Sequence, residues 1–421
     1  MSYPRLILAF VFLNAAILTA GETVPNPFKN PKLWVDTYFE NGSPLRWEAS
    51  GEETIEIAPL HDHERFRPNR QLTHWNFKLR CTRDQVGKVV TVRIADTFNV
   101  WNGRPASAIS KFKLALSVSS DGQTWKRIVS EEHAEDAPAV EFKVPLESEC
   151  VQIARVIPYT DSDLQAALRR FRNRPGCRVY NIGATVEGRP LEMVEAGNPD
   201  APHSIFLRAR AHPWEAGGSW LVEGLLEYVL SDDPEAVKIR ESVRFCVMPM
   251  ANKDGVHRGM TRFNVNGWDL NRNWFTDKPI DPVLAPEAAC LQNWFSERQR
   301  TKTLPEVAIC VHNDNNGGLH LSNPTRDAEG YLARMALFEK LLREGTFFRE
   351  GAKGKAQGFT NSGTFGEGMT EIYGIDGLVW ELREEWAEGL QRPPLHTDWR
   401  KMGADFAKVC EAYFRQVPAR K

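Results

Sequence analysis

Residues Ser204 to Leu230 read SIFLRARAHPWEAGGSWLVEGLLEYVL, and the fold turns on this stretch. It opens with the apolar, β-leaning run Ser204-Ile205-Phe206-Leu207. It closes with Trp220, Leu221, Leu225, Leu226 and Val229 at helical spacing. Between them stand His212-Pro213-Trp214-Glu215. A strand that hands a His and a Glu, three residues apart, to the mouth of a helix can hold zinc, because positions i and i+3 of a helical turn share a face. A catalytic ion needs a third ligand from elsewhere and one open position. Alone, H-x-x-E is a weak signal and more often a solvated polar turn, so the rest of the chain decides.

With 421 residues the chain exceeds one ordinary core, and two domains are expected. A hydrophobic share of 42% and a charged share of 26% exclude a disordered or fibrous protein. A net charge of −2 gives no electrostatic reason to expect nucleic acid or an anionic membrane as partner. The first residues differ in character. Arg5 precedes the apolar run Leu6 to Leu13 and then Ala15 to Ala20, with no acidic residue before Glu22. This fits a secretory signal peptide over residues 1–20, with an uncleaved anchor as the alternative. No other stretch is long and apolar enough to span a bilayer, so an exported protein, periplasmic or secreted, without a membrane span in the mature chain is expected. The seven cysteines lack C-x-x-C spacing, which excludes a disulfide framework and a cysteine zinc site. Cys246 and Cys310 sit in apolar runs and read as small buried hydrophobes.

Residues 24–160 carry short alternating runs, among them His74 to Leu79, Val89 to Ile94, Lys111 to Val118 and Val140 to Val144. Turn signals such as Ser120-Asp121-Gly122 separate them, which predicts an antiparallel β-sandwich domain. From Thr160-Asp161-Ser162-Asp163 onward apolar strands alternate with helices, which predicts an α/β domain over residues 161–421 with a mixed, mostly parallel sheet covered on both faces. Within it, Val247 to Val256 runs from a strand into Asp-Gly turn chemistry, and Asp269-Leu270-Asn271-Arg272-Asn273-Trp274 follows. Val307 to Val311 is an apolar strand ending at His312, and ligands gather at the carboxyl ends of parallel strands. Leu378-Val379-Trp380-Glu381-Leu382-Arg383 places one carboxylate in an apolar strand, costly unless it has work or a partner such as Arg383.

H-P-W-E, D-L-N-R-N-W, a strand-terminal His and W-E-L-R, in this order, resemble the zinc metallocarboxypeptidase family over roughly Asn181 to Trp386. The earlier half, above all Ile157 to Leu164, is similar to the β-sandwich of the cytosolic carboxypeptidase (tubulin deglutamylase-like) branch. The resemblance implies one Zn2+ per chain on His212, Glu215 and His312. It implies Glu381 as the general base for a zinc-activated water, and Arg262 as the charge that meets the developing oxyanion. Asn271 and Arg272 would hold the substrate's terminal carboxylate, for which a guanidinium fork is suited. The partner so implied is the carboxyl terminus of a peptide or protein.

Two departures from the family pattern stand out. Asn313 follows the third ligand where relatives carry a small residue, and His320 is near enough to rank second for that ligand. The mobile Tyr of many relatives counts back to Phe359, with Tyr373 the nearest phenol. The branch favours acidic terminal residues, for which Lys353 and Lys355 are candidates. The rival readings are a carboxypeptidase for peptidoglycan stem peptides and a non-catalytic binding protein on the same fold.

Overall fold

The computed structural model describes residues 31–109, 114–134, 136–275, 277–353 and 363–418. The signal-peptide reading of residues 1–20, the start of the Lys111 run, Lys355 and Phe359 lie outside them. The amino-terminal part builds two sheets. One orders its strands Leu33–Asp36, Asn76–Cys81, Cys150–Ala154, Ala115–Ser119 and Lys126–Val129; the other Ala139–Pro145, Val89–Ala95, Thr54–Pro59 and Leu45–Ser50. Every pairing is antiparallel except Thr54–Pro59 with Val89–Ala95, which is parallel and departs from the expected all-antiparallel arrangement. Side chains alternate as a pleat requires: Val140, Phe142 and Val144 are buried between exposed Glu141, Lys143 and Pro145. Both sheets bury their apolar faces in one shared core that includes Ile57, Phe77, Leu79, Val92, Leu116 and Phe142.

A third, small sheet has no counterpart in the sequence reading. It joins Asp62–His63, Arg70–Gln71, Phe98–Trp101 and Arg104–Ser107, pieces too short to give a period-2 signal.

The change of character at Thr160 coincides with helix Asp161–Phe171, whose first turn is closed by a Thr160–Asp163 capping box. Beyond it runs an eight-stranded mixed sheet in the order Cys177–Ala184, Pro190–Ala196, Val243–Met248, His203–Ala209, Val307–Asp314, Asp376–Arg383, Gly318–Leu321, Ala352–Lys353. The four central strands are mutually parallel. Alternation sends Ile205, Leu207 and Ala209 to one face, against helices Ala216–Val229, Ala328–Gly345 and His396–Phe414. Phe206, Ala308 and Cys310 go to the other, against helices Pro286–Arg300 and Phe365–Tyr373. Helices Ala216–Val229 and His396–Phe414 approach backbone to backbone, because a β-carbon at Gly403 would overlap the Leu221 carbonyl. No helix among the described residues is long and apolar enough to cross a membrane.

Candidate metal centre and active-site cavity

The His203–Ala209 strand ends in a tight turn, where buried Arg210 takes a left-handed φ of 58°. The turn delivers His212, and Glu215 becomes the N-cap of helix Ala216–Val229. The Val307–Asp314 strand runs two residues past the expected end at His312, so His312 lies inside the strand. There it faces Glu381 across the parallel ladder. His212 Nδ1 is 2.7 Å from Glu215 Oε1, and His312 Nδ1 is 2.8 Å from Glu215 Oε2. The two Nδ1 atoms are 3.1 Å apart, and all three residues are buried. Their donor atoms lie within 4.8 Å of one another, so two imidazoles and a carboxylate converge on one point. That is a donor set suited to a catalytic zinc ion.

The candidate ligands are held from behind. His212 Nε2 stands 3.2 Å from Asp269 Oδ1, a carboxylate–histidine pair that fixes the ring nitrogen facing the site. Asp269 is a site residue the sequence reading passed over, although it opens the D-L-N-R-N-W run. Its other oxygen takes both Arg262 Nε and Nη2 at 2.8 Å. Burial opposes ionisation there, but Arg262, His212 and Arg272 outweigh it and hold the Asp269 carboxyl well below the usual range. His312 Nε2 meets the Cys310 thiol at 2.9 Å, and Arg208 Nε and Nη2 reach that sulfur at 3.2 and 3.1 Å. Burial would raise the Cys310 pKa; Arg208 and His312 reverse this and lower it. Cys310 is therefore buried in the apolar core, as its strand suggests, and is in addition a polar partner of His312. All seven cysteines are free.

A cavity of about 690 Å³ gathers the remaining candidates: His212, Glu215, Arg262, Asn271, Arg272 and Glu381 all line it. The backbone N–H groups of Arg262 and Phe263 donate to Asp62 Oδ2 at 2.7 and 2.9 Å, so the small amino-terminal sheet fixes the arginine's segment. Asn271 Oδ1 accepts from the Phe365 N–H at 3.0 Å. His320 stands with Asp314 and Glu381, their donor atoms within 4.8 Å of one another, and not with His212 and Glu215. Tyr373 hydrogen-bonds Ser296 and the Gln292 carbonyl and does not line the cavity. Lys353 pairs its backbone with His320. The small sheet and its loops supply a wall that the sequence did not announce: Arg67, Gln71, Asn99, Trp101 and Asn102.

Comparison with known proteins agrees with this geometry. The family model described as zinc carboxypeptidase matches residues 164–312. Cytosolic carboxypeptidase 2 of Macaca fascicularis is 30% identical over 193 residues, which are 43% of this chain and 22% of that relative. Human cytosolic carboxypeptidase 6 is 26% identical over 335 residues, 75% of this chain and 64% of that relative. The chain thus spans about a fifth of the length of the first of these relatives. Among solved structures, a metallo-carboxypeptidase from Burkholderia cenocepacia superposes with a TM-score of 0.77 at 19% identity, covering 91% of this chain and 99% of its own. A metallo-carboxypeptidase from Pseudomonas aeruginosa gives 0.74 at 20% identity, covering 91% and 99%. These two show a shared fold. Over the matched residues the chain carries a zinc carboxypeptidase domain homologous to the cytosolic carboxypeptidases.

Proposed function

We propose that the chain is a zinc-dependent carboxypeptidase that removes residues from the free carboxyl terminus of peptides or proteins. One observation carries this reading: a buried His212–Glu215–His312 donor set opens onto the same cavity as Glu381, Arg262, Asn271 and Arg272. An ion held by the three ligands would polarise the scissile carbonyl and acidify a water. The side chains do the rest. Arg272 offers a planar fork to the terminal carboxylate. Asn271, its oxygen already engaged by Phe365, is left its amide nitrogen to donate. Arg262 spends Nε and Nη2 on Asp269, so it is pre-aimed and keeps donors for the oxygen that gains charge. Glu381 accepts the proton of the attacking water and passes it to the leaving amine.

An acidic released residue is the preference we propose, supported by the family resemblance and by Arg67 on the cavity wall. The leader-like residues 1–20 support export, whereas the name "cytosolic" borne by the relatives weighs against it. Cell fractionation and sequencing of the mature amino terminus decide.

The function is tested by amino-acid release from peptides ending in Glu, Ala, Phe or Lys, each as free acid and as amide. Release should occur from free acids only, fastest for Glu, and cease on chelation. Glu381→Gln should lower kcat by about 10²–10⁴-fold while zinc stays bound. Equal release from amides would overturn the exopeptidase reading.

A further inference from the structure

Arg155 follows the last strand of the amino-terminal five-stranded sheet and is fully buried. Its Nη1 donates to the Ala108 carbonyl at 2.7 Å and to the Thr73 carbonyl at 3.3 Å. Its Nη2 donates to Asn315 Oδ1 at 3.0 Å and to Glu385 Oε1 at 2.9 Å. The guanidinium also lies near two indoles, 5.1 Å from the Trp75 ring and 5.2 Å from that of Trp214, the residue just before Glu215. Thr73, Ala108, Trp214 and Asn315 all line the cavity. They come from three places: segments that follow strands of the small amino-terminal sheet, the turn carrying His212 and Glu215, and the loop after the Val307–Asp314 strand.

A buried ion pair is a poor device for stability alone, since apolar groups of the same volume often serve as well or better. What a guanidinium adds is a rigid, planar fan of donors. Here the fan ties residues 82, 47, 160 and 230 positions away in sequence. We propose that Arg155 is a positioning residue for substrate binding: it sets the cavity wall by fixing Thr73, Ala108 and Asn315 against Trp214. The amino-terminal sheets are then part of the active site and not an appended binding module. This rests on the cavity being the peptide site.

The test compares wild type, Arg155→Lys and Asn315→Ala with a control, Asn41→Gly. The control removes a different buried contact between the two parts, Asn41 Nδ2 to the Val256 carbonyl at 2.7 Å, and keeps the left-handed φ of 68° that glycine accepts. Val256 does not line the cavity. In the zinc-loaded proteins two readouts run side by side. Backbone hydrogen exchange around residues 73, 108, 214 and 315 should rise together, about tenfold, in Arg155→Lys but not in the control. For peptide hydrolysis KM should rise about tenfold with kcat within about threefold, and Asn315→Ala should shift KM in the same direction. Unchanged KM in both variants, or four segments that keep wild-type protection in Arg155→Lys, would overturn the proposal. If the wild type releases nothing, the carboxypeptidase reading fails, and hydrogen exchange alone still decides whether Arg155 sets the wall.

Discussion

Replacing Cys310 asks whether a thiol does beneath His312 what the Asp269 carboxylate does beneath His212. Partners of this kind orient a metal-binding imidazole and are worth about ten- to a hundredfold in metal affinity. Cys310→Ala should therefore weaken zinc binding by about that factor in a chelator competition, and Cys310→Ser should recover part of it. Asp62 offers a test through pH. Burial pushes its carboxyl up to about 6, although the Arg262 and Phe263 N–H groups pull it down. A raised carboxyl favours the protonated fold. Its contribution is complete below about 3.8 and is lost as pH rises through about 6, a span worth about 3 kcal/mol at most. Urea unfolding of metal-free protein should show wild-type stability falling over that window relative to Asp62→Asn. A parallel pH dependence in the two would contradict this. At this scale the sequence was legible where a residue's type is rare for its setting, as with Glu381 in an apolar strand. It was silent on Cys310, which is ordinary in an apolar run until Arg208 is brought beside it, and on Asp62, whose partners lie about two hundred positions away.

The start of helix Ala216–Val229 accounts for Asn313, the residue at odds with the family pattern. Asn313 Oδ1 accepts from the Gly218 N–H at 3.2 Å, and its Nδ2 donates to Glu384 Oε2 at 3.0 Å. The neighbour that makes room for it is Gly217, where a β-carbon would overlap the Asn313 amide. The larger side chain after His312 is thus matched by a missing one on the facing helix. Gly217→Ala should displace Asn313 and with it His312. Despite alanine's better helix propensity, the variant should lower both melting temperature and zinc affinity; a more stable variant with wild-type zinc binding would refute the match. The long helices and the central strands were readable because fully apolar strands and 3.6-residue spacing are local signals. The small sheet of two- to four-residue strands was not, since nothing local distinguishes such pieces from loop.

Across the whole molecule, two buried ion pairs join the amino-terminal sheets to the segment after Glu381: Arg127 with Glu384 at 3.3 Å and Arg155 with Glu385 at 2.9 Å. Burial drives the Glu384 carboxyl up to about 7 even with Arg127 and Arg155 nearby, so it depends heavily on those partners. Removing one partner of a buried pair costs about 3–5 kcal/mol, a large share of the roughly 5–15 kcal/mol that holds a domain folded. Residues 161–418 expressed alone should therefore fail to yield a cooperative thermal transition or to bind zinc, and a soluble, zinc-binding fragment would refute this. For the full chain, zinc at a hundredfold excess over its Kd should add about 2.7 kcal/mol, seen as a melting temperature that rises with free zinc and falls with chelator. The division into a β-rich part and an α/β part could be read from periodicity. Their mutual dependence could not, because it rests on pairings between distant residues that carry no local pattern.

Such distant pairings also set a timetable. Arg155 leaves the ribosome 230 residues before Glu385, and Glu381 belongs to a strand that must slot in beside Val307–Asp314. Until then the growing polypeptide has His312 and Asn315 but lacks Glu381, and the guanidinium of Arg155 lacks Glu385. Contacts this far apart form late and slowly. On the carboxypeptidase reading proposed above, the chain stays inert until Glu381 is in place, so the last-made part of its machinery is the switch that arms it.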